Sequence, residues 1–162
     1  MHASVSAATP LVVGDRIFLS ASYGRGASWL RFTPAGPEVL WEERDVLSNH
    51  YATSVYHKGF LYGFDGRQEQ GCNLRCVEAA TGKVRWSVDR HGAGSLLLAG
   101  DDLLVLGEKG ELVRAPAKPD GFRPSARAQV LPFLARAHPA LSDGRLYARS
   151  KDKLFCLDLA GP

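Results

Sequence analysis

The sequence predicts an all-β protein assembled from four similar units, each a small sheet of four short antiparallel strands. Three observations predict it: the density of turn residues, a repeat of near-constant period, and the spacing of short apolar runs inside each repeat. Of 162 residues, 17 are Gly and 9 are Pro, more turn punctuation than a helical bundle of this size needs. Four segments align without gaps: Thr9 to Phe18, Thr53 to Tyr62, Ser95 to Leu104 and His138 to Tyr147. Each runs from a polar residue through an apolar strand and a Gly or Asp turn to an apolar pair with a large last side chain. Their final positions, 18, 62, 104 and 147, are separated by 44, 42 and 43 residues.

The units expected from this period are 9–49, 50–94, 95–137 and 138–162. In the second, strands are expected at Ser54–His57, Phe60–Phe64, Asn73–Glu78 and Lys83–Val88, with turns between them. A second landmark follows the same period: Trp41 and Trp86 lie 23 and 24 residues after Phe18 and Tyr62. The third copy has no Trp at the expected place, near Gln129 or Val130. A third landmark matches Leu74–Glu78 with Leu154–Asp158, so Cys76 and Cys156 are equivalent. Four strands per unit at this period are the pattern of β-propeller blades, in a partial or small propeller. A blade cannot bury both faces alone and packs on its neighbours. Helical solenoids share the period, but β-branched and aromatic alternation between Gly-Asp turns suits helices poorly.

The fourth copy stops at Leu159, after its third strand. Propellers commonly take the missing outer strand from the N-terminus, but only Met1–Ala8 precede the first copy. The expected alternatives are a small four-bladed ring, or the C-terminal half of a larger propeller with missing N-terminal blades. A half-ring would leave open packing faces that must find a partner, a homodimer among the choices.

Composition narrows the function classes. A net charge of +3 is too small to suggest a phosphate-tracking surface, so no nucleic-acid partner is expected. Apolar runs such as Leu103–Leu106 fall far short of the roughly 20 residues a membrane span needs. Met1–Val13 do not read as a signal peptide. Basic residues gather in the second half, with Arg114, Lys118, Arg123, Arg127 and Arg136 through the third copy's outer portion, where the expected reading is a solvated edge. Cys72 and Cys76 resemble a zinc half-site, but no second pair follows at ribbon spacing. Cys76 and Cys156 are expected as small buried hydrophobes.

The stretch Cys76–Trp86 (CVEAATGKVRW) resembles the tryptophan-docking motif A-x-D-x-x-T-G-K-x-x-W of the PQQ-like, or quinoprotein-type, β-propeller repeat proteins of bacteria. Thr81, Gly82, Lys83 and Trp86 match; Cys76 replaces the Ala and Glu78 the Asp. The resemblance implies a clasp in which the Gly makes a tight turn and Trp41 and Trp86 dock on neighbouring blades. It also implies an extracytoplasmic, periplasmic setting. Enzymes of that superfamily hold the quinone PQQ with a vicinal Cys-Cys ring, a Trp floor, and calcium with an Asp base. No two cysteines are adjacent here, so no catalytic residue and no cofactor is assigned. PQQ and calcium enter only if the chain derives from an alcohol or sugar dehydrogenase, which uptake of the quinone with calcium would reveal.

The remaining candidates are loop residues. His50 and Tyr51 precede the innermost strand of the second copy, as His138 precedes that of the fourth. Such positions lie near a propeller's channel, where they either bind a ligand or cap turns. Asp65–Gly71 lacks the alternating carboxylates of a calcium loop and is expected as an exposed turn. Gly24–Ser28 and Gly92–Ser95 are expected as turns, since neither opens a helix. The function expected is therefore a non-catalytic scaffold with a protein partner or a small ligand.

Overall fold

A computed structural model describes residues 6–159. Among them the chain is all-β apart from one 3-10 turn, Gln68–Gln70, and no helix is long and apolar enough to cross a membrane. It divides into two compact units, 1–93 with 118–121, and 94–117 with 122–162.

The first unit holds two four-stranded antiparallel sheets. One orders β1 (Leu11–Val13), β2 (Arg16–Ala21), β3 (Gly26–Thr33) and β4 (Gly36–Glu43); the other orders β5 (Val55–His57), β6 (Phe60–Asp65), β7 (Asn73–Glu78) and β8 (Val84–Val88). The second unit repeats the plan with β9 (Gly94–Ala99), β10 (Asp102–Gly107), β11 (Glu111–Pro116) and β12 (Ala126–Gln129). A three-stranded sheet completes it: β13 (Ala140–Ser142), β14 (Arg145–Arg149) and β15 (Leu154–Asp158). Each sheet is an up-and-down meander in sequence order, the blade of a β-propeller.

Cross-strand register makes the repeat a structural fact. The row Leu11–Phe18–Trp29–Trp41 of the first sheet corresponds to Val55–Tyr62–Cys76–Trp86 of the second. Because side chains alternate between faces, the intervening row points the other way: Val12–Ile17–Leu30–Val39 in the first sheet, Tyr56–Leu61–Val77–Val84 in the second. These two kinds of face meet. Phe18 and Trp29 of the first sheet pack with Leu61, Val77 and Ala79 of the second in one buried cluster. The second unit repeats the joint, with Leu104 of the third sheet against Leu146 and Ala148 of the fourth. Each fully buried Leu or Val contributes about 1.5–3 kcal/mol, so such joints supply much of each unit's cohesion.

Several expectations change. Gly26–Ser28 and Gly94–Ser95 are strand residues opening β3 and β9 rather than turns, because in each case the partner strand continues opposite them. Asp65 is not an exposed loop residue: it closes β6 opposite Asn73 and is ion-paired. Cys76 is fully buried, but Cys156 is exposed, because the fourth sheet's corresponding face is uncovered. Of the proposed closing segment Met1–Ala8, Met1–Val5 lie outside the described residues, as do Ala160–Pro162, and Ser6–Ala8 are not in a strand.

Candidate functional site

The two tryptophans of the repeat act as clasps. Trp41, on β4, donates its indole N–H to the Ala79 carbonyl at 2.8 Å and lies 6.2 Å from the Phe18 ring. Its ring covers Gly82, where a Cβ would stand 3.1 Å from Trp41 Cδ2. Gly82 has φ +71°, the left-handed region where a side chain is strained. Thr81 stiffens the turn, its hydroxyl donating to Glu78 at 2.6 Å and accepting from the Lys83 N–H at 3.2 Å. Trp86, on β8, makes a related contact: it donates to the Lys118 carbonyl at 2.8 Å and lies 6.0 Å from the Tyr62 ring.

In the third sheet this device is missing, and a cavity of about 450 Å³ lies in its place. Register gives the homologous row as Leu97–Leu104–Arg114–Ala126, so Ala126 stands where Trp41 and Trp86 stand. That is earlier than Gln129 or Val130. Two differences bring it forward: the first two sheets carry a one-residue bulge between their third and fourth strands that the third sheet lacks, and Arg114 follows Leu104 by 10 residues where Trp29 follows Phe18 by 11 and Cys76 follows Tyr62 by 14. Gln129 instead donates to the Lys109 and Leu131 carbonyls.

Several lining residues are the register counterparts of residues in the joint between the first two sheets, Phe18 and Ala79 among them touching Trp41. Leu104 replaces Phe18, Leu141 replaces Tyr56, Gly144 replaces Gly59 and Leu159 replaces Ala79, all of them lining residues. The correspondence extends to the backbone: Leu159 N–H bonds Gly144 O, as Ala79 N–H bonds Gly59 O. The lining is mostly apolar, with the Arg114–Asp102 ion pair (2.6 Å) at its lip and Arg127, paired to Glu111 at 3.6 Å, beside it. Its size falls within the roughly 300–1,000 Å³ usual for ligand pockets.

The sequence-predicted loop residues occupy other places. His50 and Tyr51 are together, their rings 5.8 Å apart. His50 Nε2 lies 3.2 Å from the Tyr23 hydroxyl, and its buried Nδ1 has no hydrogen-bond partner. Arg67 covers Tyr23 at 4.9 Å. Beside this cluster runs a polar cleft lined by Tyr23, Arg67, Asp65 and Arg75. His138 belongs to the second unit, where burial pushes its imidazole below the usual range. Of the basic residues in the third copy, Arg114, Arg127 and Arg136 each pair with a carboxylate, so the cluster is largely neutralised locally.

Both clasp indoles donate to backbone carbonyls, and among the described residues no group of three or more His, Cys, Asp or Glu side chains gathers that could hold a metal.

No protein-family model and no curated protein matches the chain. Solved structures do. BamB from Moraxella catarrhalis matches with a TM-score of 0.71 at 15% identity, over 94% of this chain and 43% of that one. AztD from Citrobacter koseri matches at 0.66 and 16% identity, over 96% of this chain and 44% of that one. A europium-containing methanol dehydrogenase matches at 0.54 and 18% identity, over 74% of this chain and 25% of that one. All three are β-propeller, PQQ-like folds, and at these identities the likeness concerns the fold. The chain spans less than half the length of these proteins.

Proposed function

We propose that this chain is a non-catalytic β-propeller module that binds another protein by seating an aromatic side chain of that partner in the empty tryptophan socket of the third sheet. One observation carries the proposal: Ala126 occupies the register position of Trp41 and Trp86, above an apolar cavity lined by Leu104 and Leu159, the register counterparts of the Phe18 and Ala79 that Trp41 contacts. A site that holds an indole twice within the chain is pre-shaped to accept one from outside. The lip, with Asp102, Arg114 and Arg127, supplies the polar rim that orients a peptide around a buried aromatic anchor. Fold likeness to BamB and AztD suits a scaffold, and an extracytoplasmic location goes with the family resemblance as part of the same proposal.

The probe is N-acetyl-tryptophanamide, titrated into isotope-labelled protein while the Ala126, Ala128 and Leu104 methyl resonances are followed. A lone side-chain mimic should bind with a Kd of about 1 mM, near −4 kcal/mol. N-acetyl-alanine amide should move none of these signals. Ala126→Trp, which fills the socket from within, should weaken the probe at least about tenfold, equivalent to about 1.4 kcal/mol, with the strand resonances elsewhere unchanged. Unmoved methyls, or equal binding by Ala126→Trp, would refute the socket.

A further inference from the structure

We propose that the polar cleft beside Tyr23 and Arg67 binds a small hydroxylated carboxylate, a sugar acid, with the Arg67 guanidinium taking the carboxylate group. The cleft has a volume of about 660 Å³, a size usual for ligand pockets. Its lining comes from the β2–β3 turn, the segment joining β4 to β5, and the facing ends of β6 and β7, all within the first unit. The tryptophan socket belongs to the second unit, so the two sites are independent proposals.

Two features set this cleft apart from an ordinary surface groove. The first is Tyr23. The turn Ser22–Arg25 has positive φ at both central residues, Tyr23 (+59°) and Gly24 (+75°), and the Arg25 N–H donates to the Ser22 carbonyl at 3.3 Å. That is a type I′ turn, where Asn or Gly is favoured and an aromatic residue is strained. From this strained position the half-exposed Tyr23 ring carries Arg67 over its face at 4.9 Å, and its hydroxyl lies 3.2 Å from His50 Nε2. Strain kept for the sake of an exposed ring marks a binding position more than a packing one. The second feature is the free edge of the guanidinium. Arg67 Nε donates to Gln70 at 3.4 Å, but its terminal nitrogens have no partner among the described residues, and Arg44 on the same cleft has no carboxylate partner either. A guanidinium held by stacking keeps that planar edge available, and its geometry matches a carboxylate.

Charge balance narrows the ligand. The buried side of the cleft is already neutral and fixed: Asp65 Oδ2 pairs with Arg75 Nη1 at 2.9 Å, Asp65 Oδ1 accepts the Ser48 N–H at 2.8 Å, and the Gly66 N–H donates to the Ser48 carbonyl at 2.9 Å. Arg44 and Arg67 against Asp45 then leave one positive charge along the lining. A monocarboxylate balances it, whereas a phosphate dianion would overshoot it and face the Asp45 carboxylate. The cleft is far larger than a carboxylate group, and Asp45 and Gln70 offer acceptors and donors beside the two arginines. A sugar acid meets these requirements together, with one negative charge, a ring-sized body and hydroxyls along it.

The probe is D-galacturonate, titrated into the isotope-labelled full chain at neutral pH while the Gly24 and Gly66 amides and the Arg67 Nε–H are followed. These signals should shift saturably with a Kd of about 1 mM. D-galactose, which lacks the carboxylate, and acetate, which lacks the ring, should each bind at least about tenfold more weakly, and inorganic phosphate should be weaker than galacturonate. Arg67→Gln removes the fork and should weaken galacturonate about tenfold or more, with circular dichroism unchanged, and Arg67→Lys should not restore it. Tyr23→Asn places a favoured residue in the I′ turn, so its urea midpoint should not fall while its binding weakens. Arg145→Gln, an exposed change in the second unit, should bind as the unaltered chain does. Tri-galacturonate identifies the source: binding at least as tight as the monosaccharide's points to an acidic polysaccharide, weaker binding to a free sugar acid, and either supports the site. Unmoved resonances, equal binding of galactose, tighter binding of phosphate, full binding by Arg67→Gln or Tyr23→Asn, or loss of binding in Arg145→Gln would each overturn the proposal.

Discussion

Trp41→Ala should lower the unfolding free energy by about 3 kcal/mol, at the low end of the ~3–5 kcal/mol typical of buried Trp truncations because the ring is only half-buried. Two losses combine. The ring leaves the face of Phe18 and the surface of Gly82, and the Ala79 carbonyl loses its 2.8 Å indole donor. Trp41→Phe separates them: it keeps most of the apolar contact and forfeits the hydrogen bond, so its cost should be nearer the ~1 kcal/mol of one such bond. Gly82→Ala attacks the same contact from beneath, since its Cβ would press on the indole at 3.1 Å and its positive φ costs a further ~1 kcal/mol. Urea midpoints for the three variants provide the check. A Trp41→Ala loss below about 1 kcal/mol would place the ring among ordinary surface aromatics and remove the basis for treating Ala126 as a vacated clasp.

The blades were legible because their signal is repeated. An apolar strand, a Gly or Asp turn and a large side chain recur at one period, and each copy corroborates the others; hence Asn73–Glu78 is a strand as expected, and the second sheet's other strands agree to within a residue. The turn at Gly82 is where the motif expects one, at a positive φ that favours glycine. The socket was half legible. A missing third tryptophan is visible in the sequence, but its position depends on register, and whether a ladder carries a bulge does not follow from residue type. Cys156 illustrates the other limit. Sequence equivalence to Cys76 is real, but burial is conferred by whatever packs against the sheet, and a repeat that matches within the chain says nothing of whether its last face is covered. Asp65 is expected as an exposed turn residue for a related reason, since its partner Arg75 follows ten residues later and only strand pairing brings them together.

Arg75→Met should be the most pH-sensitive change in the first unit. Arg75 Nη1 lies 2.9 Å from Asp65 Oδ2 and donates to the carbonyls of Asp45 at 2.7 Å and Val46 at 3.0 Å, while Asp65 also accepts the Ser48 N–H at 2.8 Å. These contacts fasten the segment that joins the first two sheets and carries His50. Burial pushes the Asp65 carboxyl above its usual range, outweighing the opposite pull of the Ser48 N–H and the Arg75 guanidinium. A carboxyl raised on folding holds its proton longer in the folded state, so its contribution to stability is greatest below the unfolded pKa and declines as pH rises through the folded one. Removing the guanidinium enlarges the rise and extends that window upward. The deficit of Arg75→Met should therefore be smallest near pH 4 and grow toward about 3–5 kcal/mol at neutral pH, the cost of leaving one member of a largely buried pair uncompensated. Adding Asp65→Asn should recover much of the loss at neutral pH and flatten the dependence, because no buried charge then remains. Denaturant unfolding of the two variants at acidic and neutral pH tests the sign as well as the size: a deficit that shrinks as pH rises would mean that Asp65 is stabilised as the anion by its surroundings, with Ser48 and solvent sufficient to replace Arg75.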